Sequence, residues 1–265
     1  MRGSKKQPVV EKHPVSRKVA SGKSAEFTVD IEGAGPWSYQ WFRNDQSIPD
    51  ATGPSFKISN VKNEYYGRYF VQVLPDGDSQ TIATQSESAF LVNPNDEQLA
   101  HGLQWETFDE INGRLVSSLA SQLPYRHRAA TKTVVDLFEI PSDTANHFGG
   151  RLTGLIVPPQ SGEYVFYLCS DDTSELYLSS DDLPNESKLI AKVTTKFSSR
   201  QWESLPTESV SEPIRLEAGK RYWTRVLFKE NWGPDHLAVT WQRPGESPPE
   251  NGDPPISGEY LRHRP

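Results

Sequence analysis

Two aspartates stand side by side at Asp171-Asp172. They lie where a run alternating like a β-strand, Glu163-Tyr164-Val165-Phe166-Tyr167-Leu168-Cys169, gives way to a second short alternation, Leu176-Tyr177-Leu178. Adjacent carboxylates repel, and something at the strand end must offset the repulsion. A hard divalent cation such as calcium does so by taking carboxylate and carbonyl oxygens as ligands. The competing reading is a solvated turn in which the aspartates hydrogen-bond their own backbone, a common use of Asp in turns. The motif by itself leaves both readings open.

Other chemistries are poorly served. Glycosidases place two carboxylates on opposite sides of the scissile bond, roughly 5–10 Å apart, which adjacent aspartates do not match. No Ser-His-Asp or H-E-x-x-H arrangement is present. The six histidines are scattered: His236 leads a strand-like run, His127 lies in a basic, loop-like segment, and neither has ligand-spaced company. Cys169, the single cysteine, sits in an apolar strand pattern and reads as a small buried hydrophobe. Glu175 is a further possible ligand or a turn cap, and Asp181-Asp182, followed by Leu183-Pro184-Asn185, reads as a solvated hairpin loop. The chain is therefore expected not to be an enzyme.

The elements that position these residues are strands. Apolar residues make up 35% of the 265 and aromatic residues 11%, few but large hydrophobes that suit thin β-sandwich cores. The 21 prolines and 18 glycines are spread along the chain as turn punctuation. A formal charge of −7 offers nothing to neutralise phosphates, so nucleic acid is not an expected partner. No apolar run approaches the ~20 residues that cross a membrane as a helix. Met1-Arg2-Gly3-Ser4 reads as an expression-vector start, with residues 1–8 expected to be disordered. The chain is then expected to be a piece of a longer protein, without that protein's secretion signal.

Residues 9–94 alternate in short bursts: Ser24–Ile31, Trp37–Arg43, Phe56–Ser59, Gly67–Val73 and Ala89–Val92, with turn signals between them. Tyr39-Gln40-Trp41 followed by Asn44-Asp45, and Tyr65-Tyr66-Gly67-Arg68-Tyr69-Phe70-Val71, resemble an immunoglobulin-like domain of the bacterial kind. The resemblance makes Trp41 the core tryptophan and Tyr69 the tyrosine corner. Tyr65 stands where Asp is usual, and Val29 and Val71 stand where a disulfide would be. Trp37 reads as packed against its own loop rather than as a binding aromatic. This domain is expected to be a spacer or adhesion-type module, joined by a linker at 95–101 to the remainder of the chain.

From residue 102 onward a second all-β unit is expected, with one helix near Val116–Leu123 and strand-like runs at Asp136–Ile140, Arg151–Val157, Glu163–Cys169, Ile214–Leu216, Tyr222–Phe228 and His236–Gln242. Arg151-Leu152-Thr153-Gly154, Gly162–Phe166, Ser170–Ser179, Leu216–Tyr222 and Asp235–Gln242 with Pro244-Gly245 succeed one another in an order that resembles the protective-antigen-type (PA fourteen) β-sandwich domain over residues 102–265. Pro255–Leu261 is similar to that family's last strand. In its sugar-binding members an Asp-Asp pair, often joined by a cis peptide, holds a calcium ion that contacts sugar hydroxyls. The resemblance therefore implies Asp171 and Asp172 as metal ligands and sugar contacts. It also implies a second loop, Lys229–Asp235, in which Asn231 and Asp235 supply further oxygens and Trp232, with Asn231, meets the sugar. Trp232 either stacks on a sugar ring or folds back onto the sandwich.

The fold expected is all-β, an immunoglobulin-like sandwich followed by a larger protective-antigen-type sandwich. The function expected is a non-catalytic, calcium-dependent carbohydrate-binding or adhesion module of a secreted or cell-surface protein. Its expected partners are a glycan and the other domains of the parent chain. The alternative is a structural or protein–protein interaction module with a purely structural calcium site or none.

Overall fold

A computed structural model describes residues 7–33, 35–77, 82–95, 98–125 and 129–265. The expected vector start therefore lies mostly outside the described residues, as do part of the linker and His127. The chain divides into two compact units near residue 97, and both are built almost wholly from strands.

In the first unit the strands are β1 (Val10–Lys12), β2 (Arg17–Lys18), β3 (Ala25–Thr28), β4 (Asp30–Ile31), β5 (Trp37–Arg43), β6 (Gln46–Ser47), β7 (Ser55–Ile58), β8 (Gly67–Pro75), β9 (Thr84–Gln85) and β10 (Ala89–Val92). One sheet runs β2-β10-β8-β5-β6 with β9 beside β8; β3 pairs with β7 and β1 with β4. Period-two alternation sends Phe27, Trp41, Tyr69, Val71, Val73 and Leu91 into one shared core. Trp41 is wholly buried and donates its indole N–H to the Gly53 carbonyl at 2.9 Å. The Tyr69 hydroxyl donates to the Tyr65 carbonyl at 2.5 Å, the corner that the resemblance implied. Val29 and Val71 are both buried in that core, so apolar packing occupies the place of a bridge. Trp37 is half-buried, packed against the same core from within β5.

The second unit comprises β11 (Ala100–His101), β12 (Leu103–Phe108), α1 (Val116–Gln122), β13 (Thr131–Val135), β14 (Phe148–Ile156), β15 (Gly162–Asp171), β16 (Thr173–Leu178), β17 (Lys188–Val193), β18 (Ile214–Leu216), β19 (Tyr222–Glu230), β20 (His236–Gln242) and β21 (Leu261–His263). The larger sheet runs β11-β21-β14-β19-β16-β17, with β12 also beside β14 and β13 beyond β12; the smaller runs β18-β15-β20. Leu152, Phe166, Leu168, Leu176, Phe228 and Val239 fill the space between.

Four details differ from the sequence expectation. Ala100–His101 pairs with β21 instead of serving as linker. Asp136–Ile140 is extended but held only by single bridges at Leu137 and Glu139. The last strand begins at Leu261, after a 3-10 turn at Gly258–Tyr260. Asp181-Asp182 is not a solvated loop: Asp182 is ion-paired with Arg264 at 2.8 Å, and Asp181 Oδ1 accepts the Leu183 N–H at 2.8 Å.

Backbone meets aromatic surface most tightly at Gly150 of β14, where an added Cβ would lie 1.8 Å from the Trp105 ring. Gly150→Ala is expected to force that ring out of place and cost about 1–3 kcal/mol, read as an earlier urea midpoint for the second unit with an unchanged first transition.

Candidate functional site

The chain crosses from the smaller sheet to the larger at a single residue step. β15 ends at Asp171, paired with β20; β16 begins at Thr173, paired with β19 and β17. The Asp171–Asp172 peptide at this corner is cis. Side chains brace the corner: the Ser170 hydroxyl donates to the Asp172 carbonyl at 3.1 Å and lies 2.7 Å from the Ser174 hydroxyl, and the Thr173 hydroxyl donates to the Arg114 carbonyl at 3.1 Å.

The return crossing, from β19 to β20, lies next to it. Register places Thr173 opposite Lys229 and Asp171 opposite His236, so the first residues after β19 reach the aspartate pair. Carboxylate oxygens of Asp171, Asp172 and Glu230 all lie within 4.8 Å of one another. Asp171 is 9% exposed and Glu230 is 0% exposed. Both Glu230 oxygens, Asp235 Oδ1 and His236 Nε2 are buried without a hydrogen-bond partner among the described residues.

Burial with so little compensation shifts the acids. Desolvation, aided by the charges of Asp172 and Asp171, pushes the Glu230 carboxyl up to about 8. Asp171 is also raised by burial, against the pull of Lys196, whose Nζ lies 3.7 Å from Asp171 Oδ2. Lys229, one residue before Glu230, is itself 0% exposed; burial lowers its pKa, and its ammonium donates to the Glu230 carbonyl.

The sequence-predicted residues fall into three groups. Asp171 and Asp172 are at the centre. Asn231 is tied to them through its backbone, its N–H donating to Asp172 Oδ2 at 3.0 Å, and Trp232 beside it is 71% exposed with its ring 5.9 Å from that of His147. Trp232 thus does not fold back onto the sandwich. Asp235 is 1% exposed, and the carboxylate group does not include it. Its Oδ2 accepts backbone N–H groups of Thr144 at 2.5 Å and Ala145 at 3.1 Å. Glu175 is outside the group as well, accepting the Tyr177 hydroxyl at 2.6 Å.

Sequence reading missed Glu230 and the 143–147 loop. Glu230 closes an apolar strand, where a carboxylate on the core-facing side is anomalous; extending β19 to its true end would have exposed that anomaly.

An all-oxygen set of converging carboxylates, with orphaned oxygens on a fully buried glutamate, fits a hard divalent cation. Asp171, Asp172 and Glu230 would hold it, and the ion would supply positive charge and open coordination positions for hydroxyl oxygens.

Comparison with known proteins mirrors the same division of the chain. The PA14 domain signature matches residues 99–253 and that of the immunoglobulin I-set domain residues 8–85. The chain is 31% identical over 159 residues to N-acetyl-beta-glucosaminyl-glycoprotein 4-beta-N-acetylgalactosaminyltransferase 1 of Mus musculus, covering 55% of this chain and 14% of the relative. It is 35% identical over 83 residues to Fibrocystin-L of Homo sapiens, covering 31% of this chain and 2% of that protein. The chain thus spans a small fraction of the curated relatives it matches. Among solved structures, the Epithelial Adhesin 6 A domain of Candida glabrata in complex with Galb1-3GlcNAc aligns with a TM-score of 0.46 at 15% identity, covering 64% of this chain and 90% of that one. The PA14 domain of the MpAFP antifreeze protein aligns with a TM-score of 0.44 at 11% identity, covering 64% and 95%.

The buried acids carry a pH signature. Glu230 has a raised pKa in the folded, ion-free protein, so its contribution to stability is complete below the unfolded value of 4.5 and is lost as pH rises through about 8. Melting in chelator is therefore expected to fall by several degrees between about pH 5 and pH 9, at about 2–4 °C per kcal/mol. Millimolar calcium should shrink that fall, and Glu230→Gln should flatten it in chelator; thermal scans across the pH range measure all three.

Proposed function

Because the chain belongs to the PA14 domain family, we propose that its second unit is a non-catalytic, calcium-dependent carbohydrate-binding module of a secreted or surface protein. The observation that carries the reading is the juxtaposition of three converging carboxylates with a large exposed aromatic on the adjoining loop. Calcium held by Asp171, Asp172 and Glu230, with Asn231 as an expected further oxygen donor, leaves coordination positions for two sugar hydroxyls. Trp232 offers an indole face for the C–H side of the ring. Sugar hydroxyls replace ion-bound water at little net cost, while stacking adds affinity and orientation.

Catalysis is not part of the proposal. Glu230, the acid whose pKa would suit proton donation, is 0% exposed and so offers no surface to a glycosidic oxygen. The first unit is proposed to be a spacer, its aromatic residues largely spent on its own core. A relative named as a sugar transferase acting on glycoprotein glycans is compatible with a module that faces glycans.

One observation favours a second reading, in which the ion only orders loops: Asp172 Oδ2 already holds the Asn231 backbone. Sugar titration separates the two. A glycan array followed by isothermal titration is expected to show binding in calcium and none in chelator. Asp172→Asn should abolish it, and Trp232→Ala should weaken it by about five- to thirtyfold, the equivalent of about 1–2 kcal/mol. Calcium-dependent stabilisation with no glycan binding would leave only the structural reading.

A further inference from the structure

Trp232 is the most exposed large hydrophobic residue among those described, yet the residues on both sides of it are tied down. The His147 N–H donates to the Asn231 carbonyl at 3.0 Å, and the Gly233 N–H donates to Asn146 Oδ1 at 2.9 Å. Three more bonds join the same two loops: the Asp143 N–H to the Asp235 carbonyl at 3.0 Å, and the Thr144 and Ala145 N–H groups to Asp235 Oδ2. The His147 ring lies at a 46° tilt to the indole, 5.9 Å between centroids. Gly233 has φ +118, and no atom lies within 4 Å of where its Cβ would be. Left-handed backbone, not crowding, is what calls for glycine there.

We infer that Asn146, His147 and Asp235 form a clasp between residues 143–147 and 231–235 that holds Trp232 as a preset stacking platform. An exposed side chain on a free loop gives up rotamer and backbone freedom on binding, about 0.5–1.5 kcal/mol for each group immobilised. A platform already fixed when the site is empty of sugar avoids most of that loss. It also sets the distance and angle between indole and carboxylate group, which selects ligands by the geometry of their C–H face relative to their hydroxyls. The ligand class it suits is a rigid pyranose carrying an uninterrupted C–H face with hydroxyls beside it. Asp235 acts in the clasp as a positioning residue, through the Oδ2 that takes the Thr144 and Ala145 N–H groups. Asn146 is the accessible handle: it is exposed, and its side chain supplies one bond directly beside Trp232.

What Trp232 contacts rests on the carbohydrate reading; how it is held does not, and the test keeps the two apart. The whole chain is labelled with 5-fluorotryptophan, and the Trp232 resonance is assigned by its loss in Trp232→Phe. In the unmutated chain its ¹⁹F transverse relaxation is expected to match that of the other six tryptophans. Asn146→Ala should slow that relaxation severalfold, and Asn146→Asp, which keeps the acceptor oxygen, should restore it. The calcium affinity of Asn146→Ala should fall by a smaller factor than its glycoside affinity, because the Asn146 side chain bonds to the loop at Gly233 and is not one of the converging carboxylates. Affinity for methyl galactopyranoside or methyl glucopyranoside, whichever binds, should fall about three- to tenfold. A Trp232 that already relaxes like a free side chain, or that Asn146→Ala leaves unchanged, overturns the clasp. A rigid Trp232 that Asn146→Ala loosens, with no response to either glycoside, supports the clasp and overturns the carbohydrate reading.

Discussion

Three carboxylates converge at one end of the second sandwich, with Glu230 wholly buried and Asp171 largely so, and the surrounding chain is arranged around their repulsion. At an effective dielectric near 20, two unit charges about 4 Å apart oppose each other by about 4 kcal/mol. A domain has about 5–15 kcal/mol of net stability, so all three acids of this group, Asp171, Asp172 and Glu230, cannot stay ionised without a counter-charge. Two remedies exist. A proton on Glu230 serves when no ion is present, as its raised pKa expresses. A divalent cation serves at neutral and alkaline pH, and it removes the repulsion among all members together. Lys196 and Lys229 supply partial relief only: the first is solvent-screened and 3.7 Å from one oxygen, and the second is turned to a backbone carbonyl.

The fold concentrates charge here because two of the crossings between the two sheets lie side by side. β15 hands over to β16 at the aspartate pair, and β19 hands over to β20 through residues 231–235. Loop backbone around these crossings lacks ladder partners, and the acids answer it: Asp172 takes the N–H of Asn231, and Asp235 takes those of Thr144 and Ala145 in the neighbouring 143–147 loop. The same carboxylates that strain the site electrostatically also bind its loops together. Loop order and the placement of Trp232 are therefore tied to the same handful of side chains.

The fold was largely legible in sequence where period-two alternation stood out, as in β5, β8, β15, β19 and β20, whereas β12 and β17, six residues each, were not read as strands. Strands of two or three residues, such as β2, β6 and β9, carry too little periodicity to detect. Exposed edge strands such as β13, whose residues are almost all solvent-facing, lack the alternation altogether. At the site, Asp171-Asp172 stood out because adjacent charges at a strand end demand an explanation. Glu230 did not, because Lys229-Glu230 reads as a solvated pair until strand register shows both to be buried. The 143–147 loop contributes mainly backbone N–H groups, which residue type does not announce. Asp235 was singled out for its carboxylate, and one of its oxygens is used for those same N–H groups.

Asp171, Asp172 and Glu230 are proposed to be one cation site. Anomalous diffraction from crystals of the chain grown in calcium and exchanged into terbium tests it most directly. A single strong anomalous peak is expected, with oxygens of all three side chains about 2.3–2.6 Å away, the range of calcium–oxygen contacts. Crystals at neutral pH with no peak there, or with an ion that leaves Glu230 unligated and buried, would contradict it.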